Sequence, residues 1–398
     1  VRKTLSLLVV ILFLSTAAAV NTLAQAGPNP ATVDRQQLTA TISPAATIKN
    51  SSTSTISTNS PATQAIINSL SNLPEADTLI YINPQRILNE AVPKFLPPKD
   101  LEHMRKAFEE AKTKAGIDPT KINYIVIAVR FKKPTADLNF QPPEFMMVSS
   151  GDFSAEALLG LARMASQGKL RDEKYGDKTL GLMTIDPLVK EAEKNPFLKG
   201  FTEVGIVSLN ANTIAAGTPG YLRAAIDAGG GKDRISSESL NSLVRDPNAL
   251  VSFAGTPWHS FAKSFGMLGT ETTPRAARCE SKIGDMYAAL TMDATNFMIR
   301  GVTNADNPDT AKILANLYSG LLKYASGSIP DPAAQSLLNG LAITAEGDEV
   351  FLNADFPQQM IIDLIQKHMK PKEAQAEATD VMTPTKPAVK RRRTRRKH

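Results

Sequence analysis

Thr78-Leu79-Ile80-Tyr81-Ile82-Asn83-Pro84 decides how the rest of the chain is read. Five apolar, β-branched or aromatic residues in a row suit a buried strand, because such side chains pack well on a pleated surface. Asn83 and Pro84 then end the strand and open a helix. The asparagine amide can accept a hydrogen bond from an unpaired helical N–H, and proline at the first helical position loses nothing, since its missing N–H would be unpaired there anyway. A strand that passes directly into a helix points to a mixed fold, and the alternation continues downstream. Asp100 reads as the cap of a second helix with Leu101, Met104, Ala107, Phe108 and Ala111 at helical spacing; Gly116 suits the left-handed residue that stops it; Ile122 to Phe131 is a long β-branched run.

The same reasoning assigns strands to Phe145 to Val148, Leu180 to Ile185, Val204 to Leu209 and Thr213 to Ala216, with helices from Ser154 to about Gln167 and over Tyr221 to Ala228. The triplet Gly229-Gly230-Gly231 closes this first half. In the second half Ala249 to Ala254 is a strand. Met286 to Met292 and Phe297 to Val302 form a hairpin across Asp293-Ala294-Thr295-Asn296, and Leu341 to Ala345 with Val350 to Ala354 form another across Gly347-Asp348. Helices run from Asp309 to about Ala325 and from Gln358 to Met369. A correspondence links the halves. Phe145 to Val148 leads into Asp152-Phe153-Ser154 and then Ala157, Leu158, Leu159 and Leu161, while Val350 to Ala354 leads into Asp355-Phe356-Pro357 and then Met360, Ile361, Ile362 and Leu364. Internal duplication explains this pattern, and so does convergent use of a common strand-to-helix turn. The expected fold is α+β: two related modules, 74–231 and 232–370, of mainly antiparallel sheet with packed helices.

The ends have a different composition. Arg2 and Lys3 precede the uncharged run Leu5 to Val20, and Ala24-Gln25-Ala26 places small residues at alternate positions, so residues 1–26 are expected to be a signal peptide with the mature chain starting at Gly27. An uncleaved inner-membrane anchor is the alternative, although it needs roughly 20 apolar residues. Residues 27–73 are crowded with Ser, Thr, Ala, Asn and Pro and are expected to form a disordered linker, with a short helix over Ala62 to Leu70. Residues 371–398 read as a disordered tail ending in Lys390, Arg391, Arg392, Arg393, Arg395, Arg396 and Lys397. The formal net charge is +6, of which Arg2 and Lys3 supply two and the terminal run seven, leaving a net −3 over everything between. Basic character therefore belongs to the tail, and the body carries no charge signature of nucleic-acid binding. Outside the cytoplasm the abundant polyanions are envelope lipids and anionic polysaccharides, so the seven tail cations are the expected polyanion-binding residues and those surfaces the expected partners. A protein partner of unknown identity is a further expectation. Cys279 is the single cysteine, which leaves no intramolecular disulfide to form.

Pro74-Glu75-Ala76-Asp77-Thr78-Leu79-Ile80-Tyr81, the link Gly116-Ile117-Asp118-Pro119, Gly151-Asp152-Phe153-Ser154 and the closing Ala354-Asp355-Phe356-Pro357 occur in that order. The chain from about Leu73 to Met369 thereby resembles a group of exported bacterial proteins that carry a domain of unknown function, best represented in Gram-negative soil bacteria. The resemblance implies an extracytoplasmic location and an α+β fold, and carries over no site residue.

A metal site needs converging His, Cys or carboxylate ligands. His103, His259, His368 and His398 are the only histidines, and none has a histidine partner one helical turn away. His103 sits among Glu102, Lys106 and Glu110 on a solvated helix face, His368 in a last helical turn where positive charge is favourable, and His259 beside Trp258, the sole tryptophan. Ser260-Phe261-Ala262-Lys263 matches the Ser-x-x-Lys pattern of a lysine-activated serine, but the companion Ser-Asp-Asn and Lys-Thr-Gly elements do not follow it. Gly229-Gly230-Gly231-Lys232-Asp233 lacks the Ser or Thr that a phosphate loop needs after its lysine. The acid pairs Glu109-Glu110 and Asp172-Glu173 fall on polar faces. No catalytic, metal or cofactor-binding residue is therefore assigned. The expected function is that of a non-catalytic extracytoplasmic envelope protein with a binding or structural role. The alternative is a secreted hydrolase with a site assembled from residues distant in sequence.

Overall fold

The computed structural model describes residues 61–116, 118–132, 143–184, 202–256, 283–329 and 331–369. In chain order, helix α1 (Pro61–Leu70) leads to strand β1 (Thr78–Ile82). A run of helical turns follows: Pro84–Arg86, the π-helical Ile87–Ala91 and Val92–Phe95. Next come α2 (Pro98–Ala115), β2 (Ile122–Arg130), β3 (Glu144–Gly151), α3 (Ala155–Ala165), β4 (Arg171–Tyr175), β5 (Lys178–Thr184), β6 (Glu203–Asn210), β7 (Thr213–Gly217), α4 (Pro219–Gly229) and α5 (Ser237–Leu243). The remainder is β8 (Val251–Gly255), β9 (Ile283–Met292), β10 (Asn296–Ala305), α6 (Pro308–Ser328), α7 (Pro332–Asn339), β11 (Ala342–Glu346), β12 (Glu349–Pro357) and α8 (Gln358–Met369). The fold is α+β. Among the described residues, no helix is long and apolar enough to cross a membrane.

One recurring device starts the helices. A short polar side chain accepts an N–H of the first turn just as proline takes up the first helical position. Asn83 does so for Arg86, Asn307 for Thr310, and Asp331 for Ala333. Gly116 stops α2 at φ 66°, as its position suggested. Asp100, expected to cap α2, lies inside its first turn instead: the helix begins at Pro98, after Pro97, and the carboxylate acts on the positive end of the helix rather than as a cap.

Among the described residues, all the strands join one sheet of order β11-β12-β10-β9-β8-β1-β2-β3-β7-β6-β5-β4, and every pairing is antiparallel. β1 pairs with β2 on one side and β8 on the other, which makes Thr78–Ile82 the hinge line between the two halves of the chain. Strand β4, Arg-Asp-Glu-Lys-Tyr, has no sequence signature of a strand. It forms the outer edge, where charged side chains discourage pairing with other chains.

The largest core lies on one face of the sheet. Leu79, Val126, Met146, Val148, Leu182 and Ala215 point into it from the strands, and Leu70 of α1, Leu73 just after it, Leu222 of α4 and Leu240 and Leu243 of α5 cover them. Two expectations change here. The end of the linker expected over 27–73 is structured: the short helix is present as Pro61–Leu70, and Leu70 and Leu73 are buried in the main core. The glycine triplet ends α4, with Gly231 at φ 98° taking the turn, yet Ile235, Leu240 and Val244 beyond it belong to the same core. The strands β9 to β12 use the other face, where α6 packs Leu314 and Ala315 against Ala305 and Val350. On that face Phe95 also stacks on Phe297 at 5.2 Å. The two Asp-Phe sequences are not in equivalent places. Asp152-Phe153 occupies the turn before α3, whose cap is Ser154, whereas Asp355-Phe356-Pro357 continues strand β12 and α8 follows at once. Phe356 is paired in register with Phe297 and buried, so a strand pairing overrides the turn that the sequence suggested.

Candidate binding cleft

A cleft of about 490 Å³ opens on the main-core face, at the end of the sheet where β5 and β7 begin and β6 ends. Its polar groups come from four elements: Ser69 and Asn72 at the end of α1, Asp177 and Lys178 at the β4–β5 turn, Asn210 and Thr213 at the β6–β7 turn, and Gly229 and Gly230 at the end of α4. Leu73, Val148, Leu209, Ala225 and Ile226 complete its lining. Local chemistry holds this rim in shape. The Asn210 side chain accepts the Asn212 N–H at 3.1 Å, and the Thr213 hydroxyl donates to Ser150 Oγ at 3.2 Å. The Tyr175 hydroxyl donates to Asp227 at 2.8 Å, tying the β4–β5 hairpin to α4, and this bond raises the tyrosine pKa. Arg234 donates to the Ala228 and Gly229 carbonyls at 2.8 and 3.3 Å, which occupies orphan acceptors at the end of α4. Lys178 and Asp177 lie 3.7 Å apart. The volume is in the range of small-molecule sites, and amides and hydroxyls over apolar side chains suit recognition of an uncharged polar molecule.

Asp172 and Glu173, weighed for catalysis, are occupied otherwise. Arg223 donates to Glu173 at 2.6 and 2.9 Å; these hydrogen bonds, with the neighbouring positive charges, hold the Glu173 carboxyl below its ordinary range despite desolvation. Arg171 bridges Glu173 and Glu203, and Arg163 pairs with Asp172 at 3.1 Å. A carboxylate held ionised in this way is a poor general acid. His103 lies exposed on α2. Among the described residues, no group of three or more His, Cys, Asp or Glu could hold a metal ion. Trp258, His259, Ser260, Lys263 and Cys279 lie outside the described residues, as do the signal segment and the tail cations Lys390, Arg391, Arg392, Arg393, Arg395, Arg396 and Lys397.

At the opposite end of the strands a second polar group is structural. Glu144, the first residue of β3, is the register partner of Arg130, the last of β2. Its side chain is 8% exposed and takes hydrogen bonds from Arg130 at 2.5 and 3.1 Å, while Lys132 lies 3.0 Å from its other oxygen. Burial raises the Glu144 pKa, but the two cations more than offset it and the net shift is downward. The Arg130 guanidinium also sits 4.6 Å over the Tyr221 ring, whose hydroxyl donates to the Glu75 carbonyl at 2.8 Å. Strand ends, α4 and the segment before β1 are thereby locked together.

No family model matches the chain, and no curated protein does. Among solved structures, crystal forms III, I and IV of TP0453 match with TM-scores of 0.37, 0.37 and 0.36 at 10, 12 and 11% identity. These alignments cover 75, 75 and 74% of this chain and 97, 96 and 95% of the other.

Proposed function

We propose that this chain is an exported, non-catalytic envelope protein that binds a small uncharged ligand in the 490 Å³ cleft and is drawn to anionic envelope surfaces by Lys390 to Lys397. Export rests on the Arg2-Lys3 and Leu5 to Val20 pattern and on the resemblance to exported bacterial proteins. The observation that carries the binding role is the lining of the cleft, where Asn72 and Asn210 amides and Ser69 and Thr213 hydroxyls surround apolar side chains. Among the described residues its lining contains no aromatic ring on which a sugar could stack, so an amide-bearing ligand, such as a short peptide, fits better than a saccharide. Strand order supports two related modules: from the β1–β8 line outward, β1-β2-β3-β7-β6 is matched by β8-β9-β10-β12-β11. The hydrolase alternative gains nothing from Asp172 and Glu173, both engaged by arginines.

Calorimetric titration of the mature chain with an acetylated dipeptide amide and with a neutral disaccharide tests the ligand class. Saturable binding of the dipeptide amide is expected, weakened about tenfold in the double variant Ser69→Ala, Asn72→Ala, which removes two polar groups each worth about 1 kcal/mol or less. Equal binding of the disaccharide, or binding indifferent to the double variant, would remove the cleft from consideration.

A further inference from the structure

The two edges of the sheet are defended differently. Strand β4 closes one edge with Arg171, Asp172, Glu173 and Lys174, whereas β11, Ala-Ile-Thr-Ala-Glu, closes the other with a single charge at its last residue. Among the described residues, β12 is the only strand beside β11. Proline and bulges are other common means of blunting an edge, and β11 has neither. Its Ala342, Thr344 and Glu346 are exposed.

The hairpin decides which backbone groups this edge leaves open. Gly347 and Asp348 form a two-residue turn, so Glu346 and Glu349 are a hydrogen-bonded pair, and alternation along the ladder turns the backbone groups of Thr344 and Ala342 toward β12 as well. The bond from the Ala305 N–H to the Asp348 carbonyl, on the far side of β12, fits the same phase. Ile343 and Ala345 therefore direct their N–H and C=O groups away from the sheet, at the spacing that antiparallel pairing uses. Their side chains lie on the α6 face, packed against the cluster that holds Leu314, Ala315 and Val350.

We propose that β11 pairs antiparallel with β11 of a second copy of this chain, across a two-fold axis at Thr344, so that two sheets become one. Centred there, every residue of the strand is matched. Ile343 and the partner's Ala345 exchange both of their backbone hydrogen bonds, large side chain beside small, and symmetry repeats the pair. Thr344 faces the partner's Thr344 as a pair without hydrogen bonds, and Glu346 faces the partner's Ala342, so no like charges oppose each other. Beyond Ala342 the same cross-strand row continues with the Asn353 amide and with Arg300, which Asp355 also engages. An unrelated peptide fits less well, because strand addition takes its specificity from side-chain pockets beside the edge and the small Ala342 and Thr344 offer none. A strand pair of this length buries less than the roughly 1,000 Å² of a stable interface, so the dimer is weak and reversible. The edge is the one opposite β4 and its test does not involve the polar cleft.

Sedimentation velocity of the mature chain from about 10 to about 500 µM reads the association, over the range in which a weak interface reports. Wild type is expected to pass from monomer to dimer within it. Thr344→Lys and Thr344→Glu each set two like charges face to face on the axis, where paired Cα atoms are about 4.5 Å apart, and each alone should weaken association at least about tenfold. Thr344 is exposed, so both variants should keep the wild-type melting temperature. An equimolar mixture of the two puts lysine opposite glutamate and should restore the dimer to the wild-type level or beyond, a rescue that damage to the fold would not produce. Wild type that stays monomeric at the highest concentration, a dimer that survives both charged variants, or a mixture no more associated than its components would overturn the proposal.

Discussion

Replacing Glu144 by glutamine should destabilise the protein more than any exposed acid would, and in a pH-dependent way. The carboxylate is 8% exposed and holds Arg130 and Lys132, whose side chains are 34% and 44% exposed. Breaking a fully buried pair by removing one partner costs about 3–5 kcal/mol. Here the two stranded cations can reach water, which puts the expected loss lower, at about 2–3 kcal/mol, comparable to one or two hydrogen bonds to a charged group. For a folded region of this size that corresponds to a fall in melting temperature of about 5–10 °C. The pH dependence has a definite sign. The folded pKa of Glu144 lies below its ordinary 4.5, so its stabilisation is fully present above about pH 5 and is lost as pH falls through the folded value. Wild type and E144Q should therefore differ most at neutral pH and converge once pH has fallen below the lowered folded value. Arg130→Met leaves the poorly exposed carboxylate with Lys132 alone and should be worse than E144Q, and the double variant should cost less than the sum. Urea denaturation at several pH values reads all three. A neutral-pH difference under about 0.5 kcal/mol, or one that persists undiminished as pH falls until the protein unfolds, would refute the idea that this knot holds the strand ends and α4 together.

Leu70→Ala should cost about 2–5 kcal/mol, because Leu70 is fully buried in the main core although it precedes the sheet; a near-neutral denaturation midpoint would mean that α1 is dispensable. Deleting Lys390 to His398 should leave the melting temperature unchanged and weaken sedimentation with anionic vesicles at low salt, the difference shrinking as screening lengths fall to about 8 Å near physiological ionic strength. Equal sedimentation of both forms at low salt would sink the envelope-attraction proposal.

Elements governed by neighbours a few residues away were legible in the sequence. Asn83-Pro84, Gly116, Ser154 and the hairpin turns at Asp293 to Asn296 and Gly347-Asp348 each satisfy or free backbone groups locally, and each lies where the pattern put it. The closing helix Gln358–Met369 matches as well. The α+β class followed from the same local signals.

What only the tertiary structure decided depends on residues far apart in the chain. Arg171–Tyr175 becomes a strand because β5 offers it a free edge, and nothing in five polar residues announces that. Asp355-Phe356-Pro357 continues a strand because β10 pairs with it, although its composition reads as a turn. Ser69, Asn72, Lys178, Asn210 and Gly230 come from four segments whose meeting is set by strand order, and Ala288 lies beside Gly301 only because of register. Capping and turn energies are local and can be read along the chain, whereas strand order and register are chosen by burial summed over the whole sheet, so clefts and cavities appear only once that sum has been made.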